Sequence, residues 1–211
     1  MSPDIAFGVI VPVKSPAFAK SRLGGLGDDV RRDLAAAFAA DTVAAALRTE
    51  RVAVVLAVTD DHRLARELVT LGAEVLPDGT TDDLNRTLVL AAAELIRRAP
   101  MLHLAALCAD LPALRSEDLG RALSQAPATG MGFVADTDRI GTTLLTASTL
   151  EQFRPGFGSH SRSVHLARGA QEIEAGDVPG LRRDVDTPSD LAAALGLGIG
   201  PLTSRVAANL F

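Results

Sequence analysis

The sequence predicts an α/β fold of three layers, αβα, with helices on both faces of a mostly parallel, Rossmann-like sheet. Three observations carry this. Short apolar runs at Ile5–Val13, Val52–Val58 and Met101–Leu107 suit strands buried on both faces rather than strands facing water. Helical segments alternate with these runs, and such alternation implies right-handed crossovers between parallel strands. Finally, a chain of 211 residues that is 47% apolar and 22% charged is long enough for one ordinary domain. Such a domain, here spanning 1–211, buries roughly 70% of its unfolded surface.

Taken in order, Ile5 to Val13 is the first strand, and a loop containing Gly24, Gly25 and Gly27 follows it. Asp28 to Leu47 is rich in Ala and Leu, with a weak helical stripe through Leu34, Ala37, Phe38 and Asp41, and Asp28 or Asp29 is placed to cap that helix. The second strand, Val52–Val58, ends at Thr59-Asp60-Asp61. Arg63 to Thr70 is a short helix stopped at Gly72, and Ala73–Leu76 is a brief third strand. Thr81-Asp82-Asp83 opens a helix to about Arg98, with acid at its start and Arg97-Arg98 at its end, as the helix dipole prefers. Met101–Leu107 is the fourth strand and Ser116-Glu117-Asp118 starts the next helix. Met131–Ala135 and Thr142–Thr146 read as strands, and Ser161–Arg168 as a helix. Thr187-Pro188-Ser189-Asp190 combines a capping Thr, Pro in the first turn and a following carboxylate, a strong helix start. No motif is evident from Gly196 onward.

Composition narrows the function. A formal charge of −5 and 3% aromatic residues disfavour a phosphate-tracking or base-stacking nucleic-acid surface. One cysteine, Cys108, suits a reducing cytoplasm, and the start of the chain shows no basic region before an apolar core. No apolar run reaches the length of a membrane span. A cytoplasmic protein that binds neither nucleic acid nor membrane is expected.

In parallel α/β sheets, ligands sit beyond the carboxyl ends of the strands. The loop VPVKSPAFAKSRL after the first strand holds both lysines of a chain whose basic residues total 21, Lys14 and Lys20, with Arg22 beside them. Such a cluster suits phosphate, lysine as a compact charge and arginine as a fork. It is neither a Walker A loop nor a dinucleotide fingerprint. After the fourth strand comes Ala109-Asp110-Leu111-Pro112, and further on Arg183-Asp184-Val185-Asp186. In an extended segment Asp184 and Asp186 share a face. Two carboxylates held together repel unless a cation lies between them, and magnesium prefers carboxylates with phosphate oxygens. Gly141-Thr142-Thr143 and Phe157-Gly158-Ser159-His160-Ser161 offer small residues and backbone amides to an anion. His103, His160 and His165 read as structural, and Cys108 as a small buried residue with no base beside it. No nucleophile elbow is present.

Taken together, VPVKSPAFAKSRL, ADLPAL at 109–114, GTTLL at 141–145, FGSHSRSVH at 157–165 and DVDTPSDL at 184–191 resemble the guanylyltransferases of deazaflavin coenzyme F-420 biosynthesis. These act on 2-phospholactate or phosphoenolpyruvate. The resemblance implies a nucleotide-diphospho-sugar transferase-like fold and transfer of GMP from GTP to a three-carbon phosphoacid, with release of pyrophosphate. It implies Mg2+ at Asp110, Asp184 and Asp186, the phosphoacid at Thr143, Gly158 and Ser161, and the nucleotide at Lys14, Lys20, Arg22 and Asn85. The loop carrying Lys14, Lys20 and Arg22 is then the catalytic one, neutralising the departing pyrophosphate. It leaves room for a homodimer. Two stretches depart from the family pattern: DDLNRTL at 82–88 lacks a Gly before Leu84-Asn85, and Asp136-Thr-Asp-Arg-Ile replaces a Gly-Thr-rich run before Gly141. Rival readings are a nucleotidyltransferase for a sugar phosphate or the molybdenum cofactor, and a non-catalytic nucleotide-binding regulator.

Overall fold

The computed structural model describes residues 5–13, 27–79 and 83–208. Its first half contains β1 (Phe7–Pro12), α1 (Asp28–Leu47), β2 (Val52–Val58), α2 (His62–Leu71), β3 (Glu74–Leu76), α3 (Leu84–Arg98) and β4 (His103–Leu107). The second half contains α4 (Ser116–Ser124), β5 (Met131–Ala135), β6 (Thr142–Ala147), α5 (Ser161–Ala167), β7 (Gln171–Glu172), α6 (Pro179–Arg182), α7 (Pro188–Leu197) and α8 (Pro201–Ala207).

The strands form one sheet in the order β3-β2-β1-β4-β6-β5-β7. β3, β2, β1 and β4 are parallel, as alternation with helices predicts. β6 pairs antiparallel to β4 and to β5, so β5 again runs with the parallel strands. Strand periodicity distributes the core over both faces. Val9 and Val11, Val55 and Ala57, and Ala105 and Leu107 pack on one side with α1 and α4. Ile10, Leu56, Leu104 and Ala106 pack on the other with Leu88, Ala92 and Leu95 of α3.

Several elements differ from expectation at their ends. α1 is capped by Gly27, which offers no side chain; Asp28 and Asp29 lie in its first turn and pair with Arg31 and Arg32. α3 begins at Leu84, with Asp83 as its cap accepting from the amides of Asn85 and Arg86, so the acidic first turn expected there is absent. Thr81 and Asp82 lie outside the described residues. The tail contains α8, whose signal was a buried acid far away in sequence. Asp41 of α1, only 5% exposed, accepts from the amides of Leu202 (3.1 Å) and Thr203 (2.7 Å) at the start of α8. Thr187 and Asp190 form the expected capping box of α7.

Candidate active site

The carboxyl end of β4 runs into the Asp110 turn, and α1 fixes that turn. The buried Thr42 hydroxyl donates to Ala109 O and accepts from Leu111 N, both at 3.2 Å. A second chain segment is tied directly to it, because Val185 N–H donates to Asp110 O at 3.0 Å. Val185 is fully buried among Leu34, Phe38, Ala113 and Leu191, so alternation turns Asp184 and Asp186 to the opposite side. The α7 capping box fixes the exit, with Asp190 accepting from the Thr187 amide at 2.9 Å and pairing with Arg183 at 3.3 Å.

Burial, followed by the neighbouring charges of Asp110, Asp186 and Asp136, pushes the Asp184 carboxyl up to about 7. The fold thus gathers four carboxylates close enough to oppose ionisation of one of them. Among the described residues, no three His, Cys, Asp or Glu side chains converge tightly enough to hold a metal unaided. Magnesium usually takes only one or two protein carboxylates and completes its shell with water and substrate phosphates. A mutually repelling, all-oxygen donor set fits that requirement.

Beside the Asp110 turn lies an apolar cleft of about 210 Å³ whose walls include Pro12, Val13, Ala35, Leu84, Leu88, Cys108 and Phe157. It occupies the carboxyl ends of β1 and β4, as the sheet-edge rule predicts. Cys108 is half-buried in its wall rather than fully enclosed, and its Sγ donates to Thr142 O at 3.4 Å. A larger groove of about 270 Å³ between α1, α2 and α8 contains none of the candidate site residues. Lys14, Lys20 and Arg22 lie outside the described residues. Of the other loops at this edge, Asp61 caps α2, and Asp60 accepts from the Asp78 amide at 2.9 Å.

Across the sheet from the cleft, the β5–β6 register shifts between Val134 and Ala135. Thr143 falls in that break, opposite neither residue, and its carbonyl accepts from Cys108 N–H at 2.9 Å. Bulges of this kind re-aim side chains. The Thr143 Oγ1 is buried and, among the described residues, has no hydrogen-bond partner. A buried hydroxyl without a partner costs about 1–3 kcal/mol, and the Thr203 Oγ1 of α8 shares that state.

The turn before Thr143 is built by Asp136, which stands where the family pattern has a Gly-Thr-rich run. Asp136 accepts from Ile140 N at 2.9 Å and Gly141 N at 2.7 Å. A Cβ at Gly141 would lie 2.5 Å from that carboxylate, so only glycine permits this clasp. The Asp136 contacts four and five residues on lie beyond the reach of an ordinary Asx turn, so no local signal marked it. Helix α5 docks on the same turn through Arg162 N to Ile140 O at 3.1 Å. Its first residue, Ser161, is buried and donates its amide to Gly158 O at 3.1 Å. Gly158 adopts φ +136°, a conformation side-chain-bearing residues rarely reach. Thr143, Gly158 and Ser161 therefore belong to one hydrogen-bonded assembly. The Asn85 side chain lies against the same assembly, with its amide on the backbone of Phe157.

A carboxylate turn beside an apolar cleft, on a sheet of this order, places the protein in the α/β nucleotidyltransferase class. Solved structures share the fold. A nucleotide-diphospho-sugar transferase from Desulfovibrio desulfuricans superposes with a TM-score of 0.63 at 18% identity, covering 87% of this chain and 84% of its own. A 4-diphosphocytidyl-2C-methyl-D-erythritol synthase gives a TM-score of 0.63 at 14% identity, covering 92% and 99%. Within that class the chain belongs to the family of CofC-like guanylyl transferases, whose pattern matches residues 7–203. Relatives named phosphoenolpyruvate guanylyltransferase include that of Thermomonospora curvata, 46% identical over 98% of this chain and 91% of its own length. That of Streptomyces coelicolor is 49% identical, covering 96% of each chain. The protein is a nucleotidyltransferase, and no helix among its described residues is long and apolar enough to cross a membrane.

Proposed function

We propose that the protein transfers GMP from GTP to the phosphate of phosphoenolpyruvate, releasing pyrophosphate, as a step of coenzyme F-420 biosynthesis. Family membership supports the guanylyl group, and the names of the 41–49% identical relatives support the acceptor. The observation that carries the chemistry is the Val185–Asp110 backbone bond, which ties the Asp184–Asp186 segment to the Asp110 turn beside the apolar cleft.

The cleft takes the base between its apolar walls, and Asn85 supports Phe157 in one of them. Thr143, Gly158 and Ser161 hold the phosphoacid, the Thr143 hydroxyl gaining the partner it otherwise lacks. Lys14, Lys20 and Arg22 stabilise charge on the departing pyrophosphate. Asp110, Asp184 and Asp186 would hold Mg2+, which would neutralise phosphate charge as it develops. An acceptor phosphate oxygen bonds to the α-phosphorus while the bond from that phosphorus to the β-bridging oxygen breaks. The acceptor phosphate is mostly ionised near neutral pH, its second pKa being about 6, so no proton need be removed and no base is required. Positioning and charge neutralisation then supply the rate.

The test is pyrophosphate release from GTP and Mg2+ with phosphoenolpyruvate, 2-phospholactate or 3-phosphoglycerate in turn. Phosphoenolpyruvate gives the highest kcat/KM on this reading. A faster 2-phospholactate reaction reassigns the acceptor, and no release with any acid leaves a binding protein without turnover.

A further inference from the structure

His165 is fully buried on α5, yet it is not a passive core residue. Gly156 N–H donates to its Nε2 at 2.9 Å. Because Nε2 accepts, Nδ1 carries the proton and donates to the Thr142 hydroxyl at 2.9 Å. One ring therefore spans the start of β6, next to Thr143, and the segment leading to Gly158, while its own helix opens at Ser161 one turn earlier. Phe133 and Phe157 pack against the ring, with centroids 5.8 and 5.4 Å away, and fix its orientation.

The segment that His165 holds is also held from the opposite side. Asn85 of α3 accepts from Phe157 N–H at 2.8 Å and donates to Phe157 O at 3.0 Å. Three polar backbone groups on two consecutive residues, Gly156 and Phe157, are thus satisfied by two side chains from two helices. The next residue is Gly158, held at φ +136°, and the Phe157 ring itself walls the nucleotide cleft.

We infer that His165 and Asn85 are positioning residues that clamp the 156–157 segment and so set the acceptor subsite formed by Thr143, Gly158 and Ser161. This rests on the proposed phosphoacid site. Neither side chain touches the reacting atoms; each acts through backbone. His165 holds Gly156, beside the acceptor subsite, whereas Asn85 holds Phe157, whose ring also walls the base cleft, so loss of the His165 bonds falls mainly on the acceptor and loss of Asn85 on both substrates.

The test compares His165→Phe, His165→Gln, His165→Asn and Asn85→Ala with the wild type. Initial rates are measured in GTP and Mg2+ with phosphoenolpyruvate, and phosphoenolpyruvate binding to the protein is measured by calorimetry. His165→Phe keeps the ring and removes both bonds; Gln keeps the reach of Nε2 and Asn that of Nδ1. Expected is a rise of roughly tenfold in KM and Kd for phosphoenolpyruvate with His165→Phe, intermediate values for Gln and Asn, and a GTP KM within about twofold of wild type. Combining His165→Phe with Asn85→Ala should cost less than the product of the two single effects, because both act on one segment. If His165→Phe fails to fold, His165→Gln and His165→Asn, each keeping one of the two bonds, give the same readout. Unchanged phosphoenolpyruvate constants in the His165 variants, or equal rises for both substrates in them, overturn the clamp while the proposed function stands. A wild type that binds none of the three phosphoacids overturns both.

Discussion

In the parallel strands β3, β2, β1 and β4, order comes from apolar side chains alternating between two helical layers, and the ligand edge is simply where those strands end. In the β6, β5 and β7 half, order at the same edge comes from individual polar side chains on backbone groups: Asp136 on Gly141, His165 on Gly156 and Asn85 on Phe157. Both halves pack on the same buried core, Phe133, Val134, Leu144 and Leu145 being as enclosed as Val9 and Leu104, and Thr42 clasps the Asp110 turn of the first. At the edge of the second half several polar contacts fix the backbone around Thr143 and Gly158, so one substitution there is expected to reach function before it reaches the fold. The Asp110 and Asp184 segments join the halves.

The largest expected effect is at the joint. Asp110→Asn should lower kcat by about three orders of magnitude or more, with thermal unfolding near that of wild type, since a metal-holding oxygen is lost but little packing changes. Wild-type turnover in that variant would remove the carboxylate site. Next is the parallel half. Leu104→Ala, at a fully buried position, should cost about 2–5 kcal/mol in denaturant unfolding, with KM for both substrates unchanged in the protein that remains folded. In the antiparallel half, Asp136→Ala should cost about 1–2 kcal/mol of stability yet raise the phosphoenolpyruvate KM several-fold. Equal and parallel losses from Leu104→Ala and Asp136→Ala would erase the distinction between the halves.

A smaller effect concerns Asp184. Its folded pKa is raised to about 7, so between the ordinary carboxylate range and pH 7 the unfolded chain binds fewer protons than the folded one. The metal-free protein therefore loses stability as pH rises through that window. Magnesium competes with the same proton. The rise in Tm on adding Mg2+ should accordingly be larger at pH 8 than at pH 6; a rise independent of pH would separate Asp184 from the metal. The smallest effect is at Cys108. Cys108→Ala should change kcat by less than about threefold, because direct transfer needs no protein nucleophile.

The same comparison explains what the sequence made legible. Short, β-branched apolar runs such as Val9–Val11 and Val52–Val58, set between helical segments, suit buried strands, so the parallel half and its ligand edge follow from local pattern, although the first residues of β2 are partly exposed. Asp184 and Asp186 were readable for a similar reason, since strand periodicity alone puts them on one side of Val185. The acceptor half was less legible because its contacts are long-range. Asn85 and Phe157 are 72 positions apart, and the ring of His165 reads as structural until its two partners are seen to flank Thr143 and Gly158. β7, with two residues, and α6, with four, are too short to show a period. α8 depended on Asp41, 161 residues from its partner Leu202.

On this reading one sheet edge brings nucleotide and acceptor together for direct transfer, without a guanylylated protein intermediate. Exchange of labelled pyrophosphate into GTP in the presence of Mg2+ tests it most directly. The account predicts exchange only when the phosphoacid is present to be guanylylated. Exchange in its absence would show that GMP is first transferred to the protein, and would contradict direct transfer.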